Sequence, residues 1–567
     1  MKSIYLKLQL FCLAFLFILC GCQESLDLSP LDSISDAIFW NTPEDFEKGA
    51  NALYASMSGY QMYDVDADIV FQHGNNVSNS TLTTPDTDNS NYNNVYTRIR
   101  NCNNIMEKVA VSPIANEVRV YAAEAKFFRA YNYWALYRLY GGVILIDKKL
   151  DVDSPELYSS RSTPQETVDF ILKDLKEAIP DLPEESEISL QKKGRITKGA
   201  ARAFMARIAL FEGTWRKYWN GSNANDYLDM AIENANAVIN SGQYALYTGS
   251  GAFSYQKFWD EPGNNSSECI LDRRYERLVA QHPFPSYMQQ DGYLPTKQLA
   301  DMYLCMDGLS IDRSDLFQGY ETFTSEFENR DPRMSQTIMI PGTMAYHAGQ
   351  AGLYEHWPFF PDRNYNTGYI IFKYKNQNPD YQMAPYNEQQ NTHFHHIRYA
   401  EVLLTLAEAL YEKNGSISDA DLDRTINLIR QRAGLTTPLS NGFVSEHGLN
   451  MRDEIRRERT VELALEGYRR DDLRRWKTAE TVLVQAIRGI KIVGTEWGVK
   501  PIYYNNGEED INNYRRDEWQ NRADADGFIV SETATFRSGF DPNKHYFRPL
   551  PAREINLNPN LQQNPGW

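Results

Sequence analysis

The chain has 567 residues with 58 Lys+Arg against 75 Asp+Glu, a net charge of −17. Hydrophobic residues at 42% and charged residues at 23% are ordinary for globular proteins, which excludes extensive disorder. The negative balance excludes nucleic acid as the main partner, because phosphate binding needs a basic face. Aromatic content is high at 13%, with 36 Tyr and 10 Trp, and serves either packing or a surface for flat, weakly polar ligands.

At the N-terminus, Lys2 and Lys7 precede an apolar run from Leu10 to Leu19. A basic stretch followed by a short apolar run reads as a secretory signal, too short to span a bilayer stably. Leu19-Cys20-Gly21-Cys22 resembles a bacterial lipobox, in which a cysteine after a small residue is acylated. Cys22 fits better than Cys20, since Gly21 leaves room beside its thiol. Several acyl chains on one cysteine anchor a protein far more firmly than one myristoyl group. The expectation is a leader over 1–21 and a mature chain tethered at Cys22 to a membrane but not embedded in it. Cys102, Cys269 and Cys305 then remain, widely spaced and without a C-x-x-C, which argues against a disulfide framework or structural zinc.

Thr42-Pro43-Glu44-Asp45 reads as a capped helix start, followed by Phe46, Ala50, Leu53 and Met57 at helical spacing. From Gly59 to Asn94 the chain is rich in Asn, Ser, Thr and Asp, a long loop of the kind that often carries function. Val118 to Tyr140 is the strongest helical pattern and stops at Gly141-Gly142. Thr163-Pro164-Gln165-Glu166 caps a helix toward Ile179; Thr197 opens another ending near Gly213; Tyr227 to Asn240 forms a fourth. Paired helices of this length, rich in Ala and Tyr, look like tetratricopeptide (TPR) hairpins. Residues 243–390 lack sustained helical period except at Thr296 to Tyr303, and read as loops and short strands. Helices return at Arg398 to Glu412, Ile426 to Arg432 and Arg452 to Glu466, before an extended tail from Asp541.

These segments carry a family resemblance. Glu124-Ala-Lys-Phe-Phe-Arg129-Ala-Tyr131 with Tyr140-Gly-Gly-Val143, Arg398-Tyr-Ala-Glu401 with Ala407-Glu408-Ala409, and Ile426-Asn427 with Ile429-Arg430-Gln-Arg432 occur in order. Glu458-Arg459, Glu462-Leu463, Glu466-Gly467, Asp472-Leu473-Arg474-Arg475-Trp476, Pro549-Leu-Pro551 and Gln563-Asn564-Pro565-Gly566 follow. Together with the lipobox they resemble the SusD/RagB family of surface lipoproteins, over nearly the whole mature chain. The resemblance implies a mainly α fold: a scaffold of TPR-like hairpins with a large irregular insert bearing the ligand face. It divides the chain into an N-terminal region 22–242, an insert 243–397 and a C-terminal helical region with its tail, 398–567. It also implies an outer-membrane location facing the cell surface and a SusC-like TonB-dependent transporter as partner, to which captured polysaccharide or oligosaccharide is passed. No catalysis is implied.

The residues themselves are read as follows. The acidic and basic residues at short helical intervals, such as Glu124 with Arg129 and Arg398 with Glu401, are structural ion pairs and helix contacts. Enzyme signatures are absent. His393-Phe394-His395-His396 has no acidic or Cys motif beside it and reads as packing or a cap, so no metal is expected. Asp64-Val-Asp66-Ala-Asp68 lacks the Gly and Glu of an EF-hand and reads as a solvated acidic loop, with calcium outside that geometry as the alternative. Sugars stack C–H-rich faces on aromatic rings and hydrogen-bond planar polar side chains. Segments 66–96, 273–293 and 354–374 have that composition. From them the expected ligand-binding residues are His73, Asn75, Asn76, Tyr96, Arg273, Tyr275, Tyr287, Trp357, Arg363 and Tyr365. The competing readings are peptide capture, a surface glycoside hydrolase with two carboxylates across a cleft, and a structural TPR adaptor.

Overall fold

The computed structural model describes residues 39–284, 292–346, 353–356, 367–375, 390–501, 503, 507–509 and 516–567. The leader, Cys22, Tyr287, Trp357, Arg363 and Tyr365 lie outside the described residues.

Helix α1 (Pro43–Leu53) starts where the sequence places it. Asp45 N donates to Thr42 Oγ1 at 3.3 Å and Thr42 N donates to Asp45 Oδ2 at 2.9 Å, so two orphan amides are satisfied reciprocally. Helix α2 (Ser90–Val111) begins inside the stretch read as loop, capped by Asn89, whose side chain accepts from Asn91 N. Its asparagines hid the period. Helix α3 (Ala115–Tyr140) ends at Gly141, whose φ of +75° is a left-handed value that glycine adopts without strain. Helix α4 (Pro164–Ala178) carries a second capping box, Thr163 with Glu166.

Helix α5 (Lys198–Tyr218) runs past Gly213 instead of stopping there. The reason is packing. A Cβ at Gly213 would meet Leu228 of helix α6 (Ala224–Asn240) at 2.8 Å, so this glycine permits close approach inside the helix. Helices α2 and α3, α3 and α4, and α5 and α6 pack as neighbouring pairs, and α6 packs on α7 (Tyr399–Asn414). This is the TPR-like scaffold. Helix α8 (Met451–Glu462) and helix α9 (Arg469–Arg475) follow, α8 ending before the Glu466 expected from sequence because the chain turns to bring Glu466 against Arg398.

Strands between the helices pair into two-stranded antiparallel ribbons. They pair β1 (Val70–Phe71) with β3 (Leu294–Pro295), β2 (Cys269–Arg273) with β6 (Phe394–Arg398), and β4 (Thr343–Tyr346) with β5 (Leu353–His356). A fourth ribbon near the C-terminus pairs β7 (Ile487–Lys491) with β8 (Phe528–Glu532). One large core joins the helices. A second holds Trp259, Tyr303, Met334, Tyr369 and Trp497 from the insert and the C-terminal region. Much of the aromatic excess is therefore packing: Tyr133, Tyr140, Tyr255, Trp259 and Tyr303 are all essentially inaccessible.

The charged motifs form a buried network, with most partners distant in sequence. Glu124 accepts from Arg195, Arg129 grips Asp174 through two bonds of 2.7 Å, and Glu401 pairs with Arg207. At the centre Glu462 faces Arg333, Arg398 and Arg432, while Glu268 and Glu466 share Arg398. Arg475 pairs with Glu408 and Asp472. The network stitches β6, α7, α8 and α9 together.

Candidate functional site

A cavity of about 890 Å³ lies between the helical scaffold and the C-terminal region. Its size is within the roughly 300–1,000 Å³ of small-molecule sites. Helix α2 contributes Asn91, Asn94 and Arg98; α3 contributes Trp134, Ala135 and Arg138; the loop after α1 contributes Ser58 to Gln61 and Asp66. Opposite stand Arg273 of β2, Arg470, Asp471 and Arg474 of α9, and Tyr546 and Arg548 of the tail.

Each wall residue is held by the fold. Arg474 donates through Nε to the Tyr546 carbonyl at 2.7 Å and through Nη1 to Asp471 Oδ1 at 3.1 Å and to the Arg138 carbonyl. Its Nη2 is buried without a hydrogen-bond partner. Arg470 donates to the carbonyls of Asp66 (2.8 Å) and His545 (3.2 Å). Asp66 also receives Arg548 Nη2 at one oxygen and Asn75 Nδ2 at 3.0 Å at the other. Arg273 donates to the Met57 carbonyl at 2.6 Å. Burial lowers the Arg470 pKa to about 10, with Asp66 opposing and Arg548 and Arg474 assisting. Burial likewise lowers that of Arg474. Guanidiniums in this state gain from any anion brought among them.

Of the residues expected from sequence, Arg273 lines this cavity. Asn75 stands behind it: Oδ1 accepts from Val77 N and Ser78 N while Nδ2 holds Asp66. His73 and Asn76 are exposed on the same loop. Tyr96 donates to the Ile144 carbonyl at 3.1 Å and packs on Tyr92, and Tyr275 is buried against His282; both serve packing. The acidic loop is not solvated as expected. Asp64 is buried and accepts from Gly467 N and Arg469 N, and Asp68 pairs with Arg469, because α9 presents its first turn there. The cavity arginines Arg98, Arg138, Arg470, Arg474 and Arg548 escaped sequence reasoning. For Arg470 and Arg474 the signal was the run of basic residues from Arg469 to Arg475, interpretable as a surface charge cluster until the fold turned it inward; Arg98, Arg138 and Arg548 had none.

The histidine cluster serves packing in part. Burial lowers the pKa of His393 to about 4 and of His396 to about 3, and His396 Nε2 donates to the Ser58 carbonyl at 2.9 Å. His395 differs. The β2–β6 pairing brings Asp272 Oδ1 to 2.8 Å and Cys269 Sγ to 3.5 Å of its Nδ1. Among the described residues this is the one grouping of metal-ligand type, built from partners over 120 positions away that no local motif reveals. His395 Nε2 reaches the Phe258 carbonyl at 3.2 Å, so both ring nitrogens have partners within the protein.

Comparison with known proteins gives consistent results. The sequence model described as the SusD family matches residues 247–567, and one described as "Starch-binding associating with outer membrane" matches residues 36–210. A SusD-like protein of Bacteroides ovatus is 25% identical over 62% of this chain and 58% of its own length. The SusD-like protein P38 of Formosa agariphila is 25% identical over 82% of this chain and 90% of its own. The fold is similar to the crystal structure of a SusD-like carbohydrate binding protein from Bacteroides fragilis, with a TM-score of 0.73 at 23% identity, covering 92% of this chain and 100% of that one. The cavity is walled by residues from both matched segments. With more than half its length matched by the first of these models, this chain belongs to the SusD family.

Proposed function

We propose that this protein is a cell-surface, lipid-anchored glycan-binding protein that captures oligosaccharide noncovalently and passes it to a SusC-like TonB-dependent transporter. The observation that carries the reading is the cavity, open between the helical scaffold and the C-terminal region and lined by aromatic rings and planar polar groups. That composition suits a sugar. Anchoring at Cys22 keeps the binding face beside its partner barrel, where a high effective concentration favours hand-over. Tyr287, Trp357, Arg363 and Tyr365 remain candidate ligand contacts on composition. The cavity carboxylates Asp66, Glu466, Asp471 and Asp472 are all ion-paired to arginines, a setting that favours a binding role over that of a glycosidase acid.

Affinity electrophoresis against a panel of plant, microbial and host glycans, beside a peptide pull-down, tests the ligand class. Retardation by glycans is expected, and capture of peptides alone would contradict it. A Cys22→Ala variant is expected to leave the outer-membrane fraction. Purification of the native protein from membranes is expected to bring a large β-barrel with it.

A further inference from the structure

We infer that the cavity takes an anionic oligosaccharide, one carrying carboxylate or sulfate groups, and that Arg98 is one of its direct contacts. The inference rests on the carbohydrate-binding reading and narrows its substrate class.

The observation is a local reversal of charge. The chain as a whole carries −17. Yet the cavity wall holds six arginines, at 98, 138, 273, 470, 474 and 548, whose carboxylate partners on that wall are Asp66 and Asp471. The other arginines lining it, at 207, 459 and 475, are matched by Glu401, Glu408 and Asp472 within the buried network. Four positive charges are therefore left facing a partly enclosed space. Such walls focus a positive potential even in an acidic protein.

A purely structural role explains part of this set. Arg470 and Arg474 tie the carbonyls of Asp66, His545 and Tyr546 to α9, and Arg273 ties down Met57. It does not explain the rest. Arg98 sits half-buried on α2 with no hydrogen bond, ion pair or ring contact among the described residues. Arg474 Nη2 and Arg548 Nε are buried N–H donors with no acceptor. Buried donors are costly to leave unmatched, and a guanidinium fork matches carboxylate or sulfate oxygens. The half-buried aromatic groups that share the wall, Tyr131 and Tyr293 among them, suit the sugar ring that would bear the anion.

Calorimetric titration of the mature protein compares oligogalacturonate (carboxylate) and chondroitin sulfate oligosaccharides (sulfate and carboxylate) with neutral laminari-oligosaccharides. Inorganic sulfate and an acidic peptide serve as further arms. Saturable binding of one or both acidic glycans is expected, weakening as salt rises from about 50 to about 200 mM. Arg98→Gln, at a position with no partner to lose, is expected to keep the wild-type melting temperature and to bind the acidic glycan about tenfold more weakly, the loss of one charge-assisted contact. The arm that binds tells the two anions apart. Binding of neutral glycans alone, or acidic binding untouched by Arg98→Gln, would overturn the inference while leaving the carbohydrate reading intact. Binding of sulfate or of the peptide without any glycan would overturn both.

Discussion

Arg138 of α3 and Asp471 of α9 meet at 3.1 Å, and the same carboxylate takes Arg474 at 3.1 Å. One aspartate thus joins the helical scaffold to the C-terminal region at the cavity wall while offsetting two of its cations. Asp471→Asn separates those roles. The pair with Arg138 is partly exposed but Arg474 is buried, so unfolding in urea is expected to register a loss of about 2–3 kcal/mol. Affinity for an acidic oligosaccharide is expected to rise by about threefold, since a repelling charge is gone. Weaker binding of acidic glycan by a folded variant would contradict this account of the wall.

Glu462 is the hub of the buried network. Burial raises its pKa, and the guanidiniums of Arg432, Arg398 and Arg333 more than reverse that, holding it far below the ordinary range. Glu462→Gln would leave buried cations short of a counter-charge. Breaking a buried pair from one side costs about 3–5 kcal/mol, and chemical denaturation should show a loss of that size. A loss below about 1 kcal/mol would mean the network is stabilised elsewhere.

Stability should fall in acid in two stages. Burial lowers the pKa values of His282, His393 and His396 from 6.5 to about 3, 4 and 3. The unfolded chain gains those protons as pH drops below 6.5 while the folded chain refuses them, so this contribution is fully present above 6.5 and is lost toward pH 4. Asp64 and Asp260, raised by burial to about 7 and 6, act in the opposite sense over much of that range. The first stage is therefore shallow. Below the ordinary 4.5, Glu408 (lowered to about 2, with Arg475 overcoming burial) and Glu462 join the histidines. Urea midpoints between pH 8 and 3 are expected to decline gently to about 4.5 and steeply beneath it. A flat profile down to pH 3 would contradict the assignment.

Gly142 closes the α3 stop by contact more than by conformation. A Cβ there would lie 2.0 Å from the Ser162 carbonyl oxygen, a backbone atom with nowhere to go. Gly142→Ala is expected to cost about 3 kcal/mol, whereas Thr42→Ala, which removes the α1 cap, should cost about 1 kcal/mol. Thermal melts of the two variants give the order directly.

What was legible in the sequence follows these physical lines. Helices with strong local chemistry, such as α1 and α4 with their Thr-Pro starts, are found where capping boxes place them. Helix α2 was hidden because Asn91, Asn93 and Asn94 resemble loop residues, yet its apolar face, Tyr92, Val95, Ile99 and Cys102, is buried. Gly213 looked like a terminator and is a packing contact. The cavity was the least legible feature. Arg98, Arg470 and Arg548 are brought to one space by tertiary pairing, and each alone is indistinguishable from a solvated surface charge. Arg273 was reached from composition; its neighbours on the wall needed the fold.

The central claim is that the protein holds carbohydrate without cutting it. Titration of the mature chain with the glycan it retards, followed by assay of the same mixture for new reducing ends, examines both halves at once. Saturable binding with reducing ends unchanged after prolonged incubation is the result expected. Release of reducing ends by the pure protein, or failure to bind any carbohydrate, would contradict it.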